Sequence, residues 1–268
     1  MNTTFGFIGT GNMGSALARS AAKTLNKEQL LLTDSYAPVA ERLAAELGCK
    51  ATDIETVAST ATFLFLGVKP QVMAAMLGSI APILKNRTDR FVLVSMAAGV
   101  CIADIQKMAG GQYPVIRIMP NIPASVGGGV ILFDATEAVT AEEVETFRSA
   151  MACAGLVDRL PEKLIDAGSA LSGCGPAFVS LFVEALADGA VACGLPRAQA
   201  LNYAAQTVAG TAKMLLESGQ HPGQLKDAVC SPGGSTIAGV AALEQGAFRA
   251  SVMEAVASAY QRTMELGK

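Results

Sequence analysis

Charged side chains are scarce in this chain: Asp, Glu, Lys and Arg make up 16% of its 268 residues, against 51% apolar. With 20 basic and 23 acidic residues the net charge is −3, and no basic run exists to grip a nucleic acid or an anionic membrane. Neither is expected as a partner. The single histidine, His221, lies in the turn-forming run Gln220-His-Pro-Gly223 and reads as a helix-start residue rather than a catalyst. Mechanisms built on a Ser-His or Cys-His pair therefore lack their central residue. Six cysteines (Cys49, Cys101, Cys153, Cys174, Cys193, Cys230) are present without a C-x-x-C pair. That pattern argues against a zinc site and a disulfide framework, and leaves the thiols as small buried hydrophobes. No metal is expected. Long apolar runs are missing too, since none approaches the roughly 18 uninterrupted residues of a membrane span. The short start from Thr3 to Gly9 has no basic flank and runs into a glycine motif, so the expectation is no signal peptide and a cytoplasmic location.

What is present is an alternation. Phe5–Ile8, Leu30–Thr33, Thr62–Leu66, Phe91–Ser95 and Val115–Ile118 are short runs of β-formers, apolar at nearly every position. Such runs suit strands of a parallel sheet covered on both faces. Helical patterns at Asn12–Leu25, Pro38–Leu47, Gln71–Leu84 and Ile102–Met108 lie between them. The run Gly129–Phe133, the helix Ala141–Ala152 and the run Gly155–Asp158 extend the sheet. From about Pro161 no strand pattern follows; Ala-rich helical patterns occupy Pro176–Cys193, Pro196–Ser218 and Phe248–Leu266. The expected fold is α/β: a doubly wound, Rossmann-type domain over residues 1–160, then an all-α domain over 161–268. The alanine-rich, charge-poor helices of the second domain point to self-association.

Gly9-Thr10-Gly11-Asn12-Met13-Gly14 follows the first strand and opens the first helix, directly after Ile8. The first glycine permits the tight turn, the second lets backbone approach a pyrophosphate, and the third allows close helix–strand packing. A dinucleotide site is the reading. Asp34 ends the second strand, where a carboxylate accepts hydrogen bonds from an adenosine ribose and repels a 2′-phosphate; Ser35, not an arginine, follows. This leans towards NADH, and the competing reading is that Asp34 caps the helix near Pro38. Val68-Lys69-Pro70 and Ala97-Ala98-Gly99 lie just past strand ends, where such sheets bind ligands. Lys69 reads either as a residue that faces a phosphate or organises a nicotinamide pocket, or as a solvated loop lysine. Asn121, in Met119-Pro-Asn-Ile-Pro123, either hydrogen-bonds a nicotinamide amide or ties the backbone of its own turn. The glycines of Gly168 to Gly175 mark a domain junction, read as structural.

Near the C-terminus, Asp227-Ala-Val-Cys-Ser-Pro-Gly-Gly-Ser-Thr236 breaks one helix and starts another. Unpaired N–H groups at such a start, with the hydroxyls of Ser231, Ser235 and Thr236, suit a small anion such as a carboxylate. The plainer alternative is a loop with a capping serine.

Taken in order, these pieces resemble the pyrroline-5-carboxylate reductase family. The resemblance spans the chain: Phe7-Ile-Gly-x-Gly-Asn-Met-Gly14, Val68-Lys-Pro70, Ala97-Ala-Gly99, Met119-Pro-Asn121, Ser172-Gly-x-Gly-Pro-Ala177, Gly194-Leu-Pro-Arg-Ala-Gln-Ala200 and the 227–236 signature. It implies reduction of 1-pyrroline-5-carboxylate to proline with NADPH or NADH. It also implies a dimer or higher homo-oligomer, with helical domains pairing to complete each active site. Ser231, Gly234, Ser235 and Thr236 would hold the substrate carboxylate, and Thr236 would also hydrogen-bond the ring nitrogen and act catalytically. Residues 8–13, Val68 to Pro70 and Ala97 to Gly99 would line the cofactor. Cys174 and Phe178 replace the usual serine and tyrosine, and Ile122 and Ser235 the usual threonines. Many family members favour NADPH, against the lean drawn from Asp34. A β-hydroxyacid dehydrogenase relative is the rival enzyme, but its Gly-x-Gly-x-x-Lys motif meets Phe178 here, and Pro176–Cys193 contains no lysine. A non-catalytic NAD(P)H-binding redox sensor would leave the anion loop without a purpose.

Overall fold

The computed structural model describes residues 3–266. Eight strands form one sheet in the order β3-β2-β1-β4-β5-β6-β7-β8. They are β1 (Phe5–Ile8), β2 (Leu30–Thr33), β3 (Lys50–Ala51), β4 (Phe63–Leu66), β5 (Val92–Ser95), β6 (Val115–Pro120), β7 (Gly129–Ala135) and β8 (Gly155–Arg159). All neighbours are parallel except β6 and β7. The connecting helices are α1 (Asn12–Ala21), α2 (Ala37–Leu47), α3 (Ile54–Thr60), α4 (Pro70–Asn86), α5 (Ile102–Ala109) and α6 (Ala141–Met151).

The continuous apolar runs are explained by burial on both faces. Along β4, Phe63 and Phe65 join a core with residues of α1, α2 and α6, while Leu64 and Leu66 join another with α3, α4 and α5. On the first face the rings of Phe5 and Phe63 stack at 4.8 Å and those of Phe7 and Phe65 at 4.4 Å. Each such fully buried side chain contributes roughly 1.5–3 kcal/mol relative to exposure. α7 (Glu162–Ser172) sets Ile165 against Met119 of β6 and Leu132 of β7.

Backbone contacts divide the chain into two units. Among the described residues, the first is 3–173 with 260–266, and the second is Cys174–Ala259. The second is all-helical: α8 (Gly175–Ala192), α9 (Arg197–Ser218), α10 (Pro222–Ala228), α11 (Ser235–Gln245) and most of α12 (Phe248–Leu266). Among its described residues only Ala187, Ala200 and Ala204 are buried in a single protomer. Leu181, Tyr203, Leu216, Val252 and Met253 remain exposed.

Candidate active site

Register assembles a candidate site at one edge of the sheet. Ile8 pairs with Thr33 and with Leu66, and Leu66 with Ser95, so four strands end on one row. The loops from residues 9, 34, 67 and 96 therefore leave the same edge of the sheet. Strand order reverses at β1, which is the crevice position for ligands of open α/β sheets.

The glycine turn is tightly specified. Gly9 has φ +95° and donates its N–H to the Thr33 carbonyl at 2.9 Å, while Gly67 donates to the Ile8 carbonyl at 2.7 Å. A Cβ on Gly9 would lie 2.6 Å from the Gly67 carbonyl oxygen, and one on Gly14 would overlap the Gly9 carbonyl oxygen. Gly11 differs: a Cβ there would meet nothing within 4 Å, so its missing side chain leaves open space at the mouth of α1. α1 carries no side-chain cap and no acidic residue in its first turn, and its ladder begins with the Ser15 N–H on the Gly11 carbonyl. An uncapped helix start behind an open glycine fits a pyrophosphate. Thr10 and Gly14 are buried, Ile8 lies beneath them in the core, and Asn12 is exposed with Met13 half-buried.

Around this cradle the candidates fare differently. Asp34 is half-buried; one carboxylate oxygen accepts the Thr10 N–H at 2.7 Å and the other the Tyr36 N–H at 3.1 Å. It does not supply a side-chain cap to α2, whose N-cap is Tyr36. Ser35 is exposed. Lys69 is the exposed N-cap residue of α4, with Val68 half-buried before it and Pro70 at the first helical position. Ala97 is buried, Ala98 and Gly99 are exposed, and Gly99 turns the chain with φ +73°. Cys101 lies two residues on, its thiol donating to Asp104 at 2.9 Å; burial, then that bond, push the thiol up. Asn121 bonds backbone outside its own turn, which neither reading from sequence had named. Its amide nitrogen donates to the Ser172 carbonyl and its oxygen accepts the Val130 N–H, both at 2.8 Å.

The helical unit carries a candidate site of its own. α10 is started by His221, whose Nδ1 accepts the Gly223 N–H at 3.1 Å. After α10, Gly233 adopts φ +67° and the Gly234 N–H closes a turn on the Ser231 carbonyl at 3.0 Å. Gly234 is the N-cap of α11, with no side-chain cap and no acidic first-turn residue. Ser231, Ser235 and Thr236 are exposed there, and the α11 ladder starts only at the Ala238 N–H. This leaves free donors and no competing carboxylate, an arrangement that accepts a small anion.

A tie between β6 and α7 was not legible in the sequence. Arg117 of β6 is buried; its guanidinium reaches Glu162 at 3.3 Å and Asp166 at 2.8 Å, both on α7. Glu162 also accepts the Ile102 N–H at 2.7 Å, capping α5 just after the 97–99 loop. The one available signal was Arg117 itself, a charge inside an otherwise apolar strand.

Comparison with known proteins bears on both units. A family model described as pyrroline-5-carboxylate reductase dimerisation matches residues 162–266, and one described as NADP oxidoreductase, coenzyme F420-dependent, matches residues 4–99. A pyrroline-5-carboxylate reductase of Synechocystis is 41% identical over 271 residues, with 100% of both chains covered. This chain belongs to the pyrroline-5-carboxylate reductase family. The Rossmann-type sheet and helical C-terminal region match the pyrroline-5-carboxylate reductase of Coxiella burnetii, 32% identical, with TM-score 0.93 and 100% of each chain covered. The Plasmodium falciparum pyrroline carboxylate reductase, solved with NADP bound, is 31% identical with TM-score 0.85, covering 100% of this chain and 99% of its own. The stretch Glu162–Ala192 is long enough, and over one 18-residue window of mean hydropathy 1.5 apolar enough, to cross a membrane by length and composition alone. It opens the segment matched by the reductase dimerisation model, and its first turns pack on β6 and β7.

Proposed function

We propose that this protein reduces 1-pyrroline-5-carboxylate to proline with NAD(P)H, the last step of proline synthesis, as a cytoplasmic homo-oligomer paired through its helical unit. Full-length relation to named reductases supports the activity. The single structural observation that carries it is the uncapped, acid-free start of α11 behind Ser-Pro-Gly-Gly. When bound, the nicotinamide supplies the hydride. The chain's residues bind and orient. Ser231, Gly234, Ser235 and Thr236 hold the substrate carboxylate through hydroxyls and N–H groups. Thr236 also places its hydroxyl on the ring nitrogen, orienting it and relaying a proton. A protonated cyclic imine is already electrophilic, so positioning accounts for much of the rate and no strong acid is needed. Ile8 to Gly14, Asp34, Ser35, Val68 to Pro70 and Ala97 to Gly99 line the cofactor, and Asn121 supports that edge through its backbone bonds.

The test follows loss of reduced-nicotinamide absorbance on adding pyrroline-5-carboxylate. Turnover is expected, and Thr236→Ala is expected to lower kcat/KM roughly 10- to 100-fold, the worth of one hydrogen bond to a charged group. Unchanged kcat/KM in that variant removes Thr236 from the chemistry.

A further inference from the structure

We infer that Asp34 makes this enzyme selective for NADH over NADPH; the inference rests on the dinucleotide-binding reading above. Two backbone donors hold the carboxylate in place, the Thr10 N–H at 2.7 Å on one oxygen and the Tyr36 N–H at 3.1 Å on the other. Thr10 is buried at 2% exposure, so the carboxylate is anchored to the glycine turn itself and does not swing away as a surface side chain would. Its other partners are rotatable hydroxyls, Thr10 at 3.2 Å and Ser35 at 3.5 Å. Those hydroxyls can turn aside for a ligand, whereas the two N–H bonds cannot without moving the loop. What is then offered to an adenosine ribose is a fixed acceptor. Ribose hydroxyls donate to it; a 2′-phosphate, itself only an acceptor and carrying up to two negative charges, does not.

Nothing in the turn compensates. Thr33-Asp-Ser-Tyr-Ala-Pro38 contains no lysine or arginine, and Arg42 lies about a helical turn further along α2. The start of α2 is a poor substitute for a cation here. Pro38 has no N–H and the Val39 N–H already bonds the Tyr36 carbonyl at 3.0 Å, which leaves Ala37. A carboxylate and a doubly charged phosphate a few Å apart repel by more than a decade in affinity even with water's dielectric, so a preference of at least about tenfold is expected.

The experiment titrates the full-length protein with NADH and NADPH by calorimetry, and in parallel measures kcat/KM for each with pyrroline-5-carboxylate. Binding of NADH at least about tenfold tighter supports the inference, and equal or tighter NADPH binding overturns it. Asp34→Asn keeps an acceptor for the Thr10 N–H while removing the charge, and is expected to narrow the ratio by strengthening NADPH. Ser35→Arg leaves Asp34 intact and adds the missing cation at an exposed position, so it is expected to narrow the ratio as well. If Asp34→Asn does not shift the ratio, Asp34 is not its cause and the inference falls, whatever Ser35→Arg does. Absence of turnover with either nucleotide would overturn the reductase reading instead, while the two dissociation constants would still decide the selectivity.

Discussion

Replacing Arg117 with methionine tests whether the tie between β6 and α7 supports the cofactor edge. The guanidinium makes two charge-assisted contacts, to Glu162 at 3.3 Å and Asp166 at 2.8 Å, while its Nε has no partner among the described residues. Such bonds contribute about 1.5–3 kcal/mol each before discounts. The discounts are visible in the structure. The two carboxylate side chains are 31% and 28% exposed, so they rehydrate once the cation is gone, and the unpartnered Nε already carries an unrecovered desolvation penalty. Methionine also fills much of the buried stem. A net loss of roughly 2–3 kcal/mol follows, or about 5–10 °C in the melting of a unit this size. Because Glu162 also caps α5 beside the 97–99 loop, KM for the cofactor is expected to rise with little change in substrate KM. The assay is a double-mutant cycle of Arg117→Met and Glu162→Gln, read by urea unfolding and by cofactor KM. A coupling energy of at least about 1 kcal/mol is expected; additivity within about 0.5 kcal/mol would refute the reasoning.

Two further outcomes are open to measurement. Glu143 is pulled towards the charged state: burial pushes its carboxyl up, but hydrogen bonds from Arg90 and from the Thr140 N–H outweigh this and leave it below the ordinary value of 4.5. Its stabilisation is therefore complete above that value and lost as pH falls through the lower, folded value, so Glu143→Gln should flatten the acid limb of unfolding measured against pH. An unchanged acid limb would count against this assignment. Ala247, between α11 and α12, holds φ +53° without being glycine. Ala247→Gly should stabilise by roughly 0.5–1 kcal/mol, the left-handed penalty less the extra backbone entropy, in thermal melts at matched protein concentration.

Much of the sheet was legible because burial on both faces leaves an unmistakable run. Phe5–Ile8 and Leu30–Thr33 were read to the residue, and the other long strands to within two. β3 was not, since Lys50-Ala51 is too short and too polar to announce a strand. α7 was missed for a different reason. Its Gly168, Ser169 and Ser172 read as a junction, and packing of Ile165 against β6 and β7 overrides their weak helical preference. At the candidate site, the glycine turn and the start of α11 were visible because special backbone leaves special residues. The double engagement of Asn121 was not, because Ser172 lies 51 positions away and no local pattern links them.

The helical unit's three buried alanines have a consequence for how the protein comes into being. A chain that encloses so little of its own apolar surface over Cys174–Ala259 has no finished form to reach alone. For that half, meeting another chain is the last step of folding rather than something that follows it. Dilution then acts as a denaturant, and the yield of native enzyme depends on how many sister chains are being made nearby. A variant chain co-produced with the natural one would enter the same assemblies, so a fault confined to the sheet of one subunit would be carried into every pair it joins.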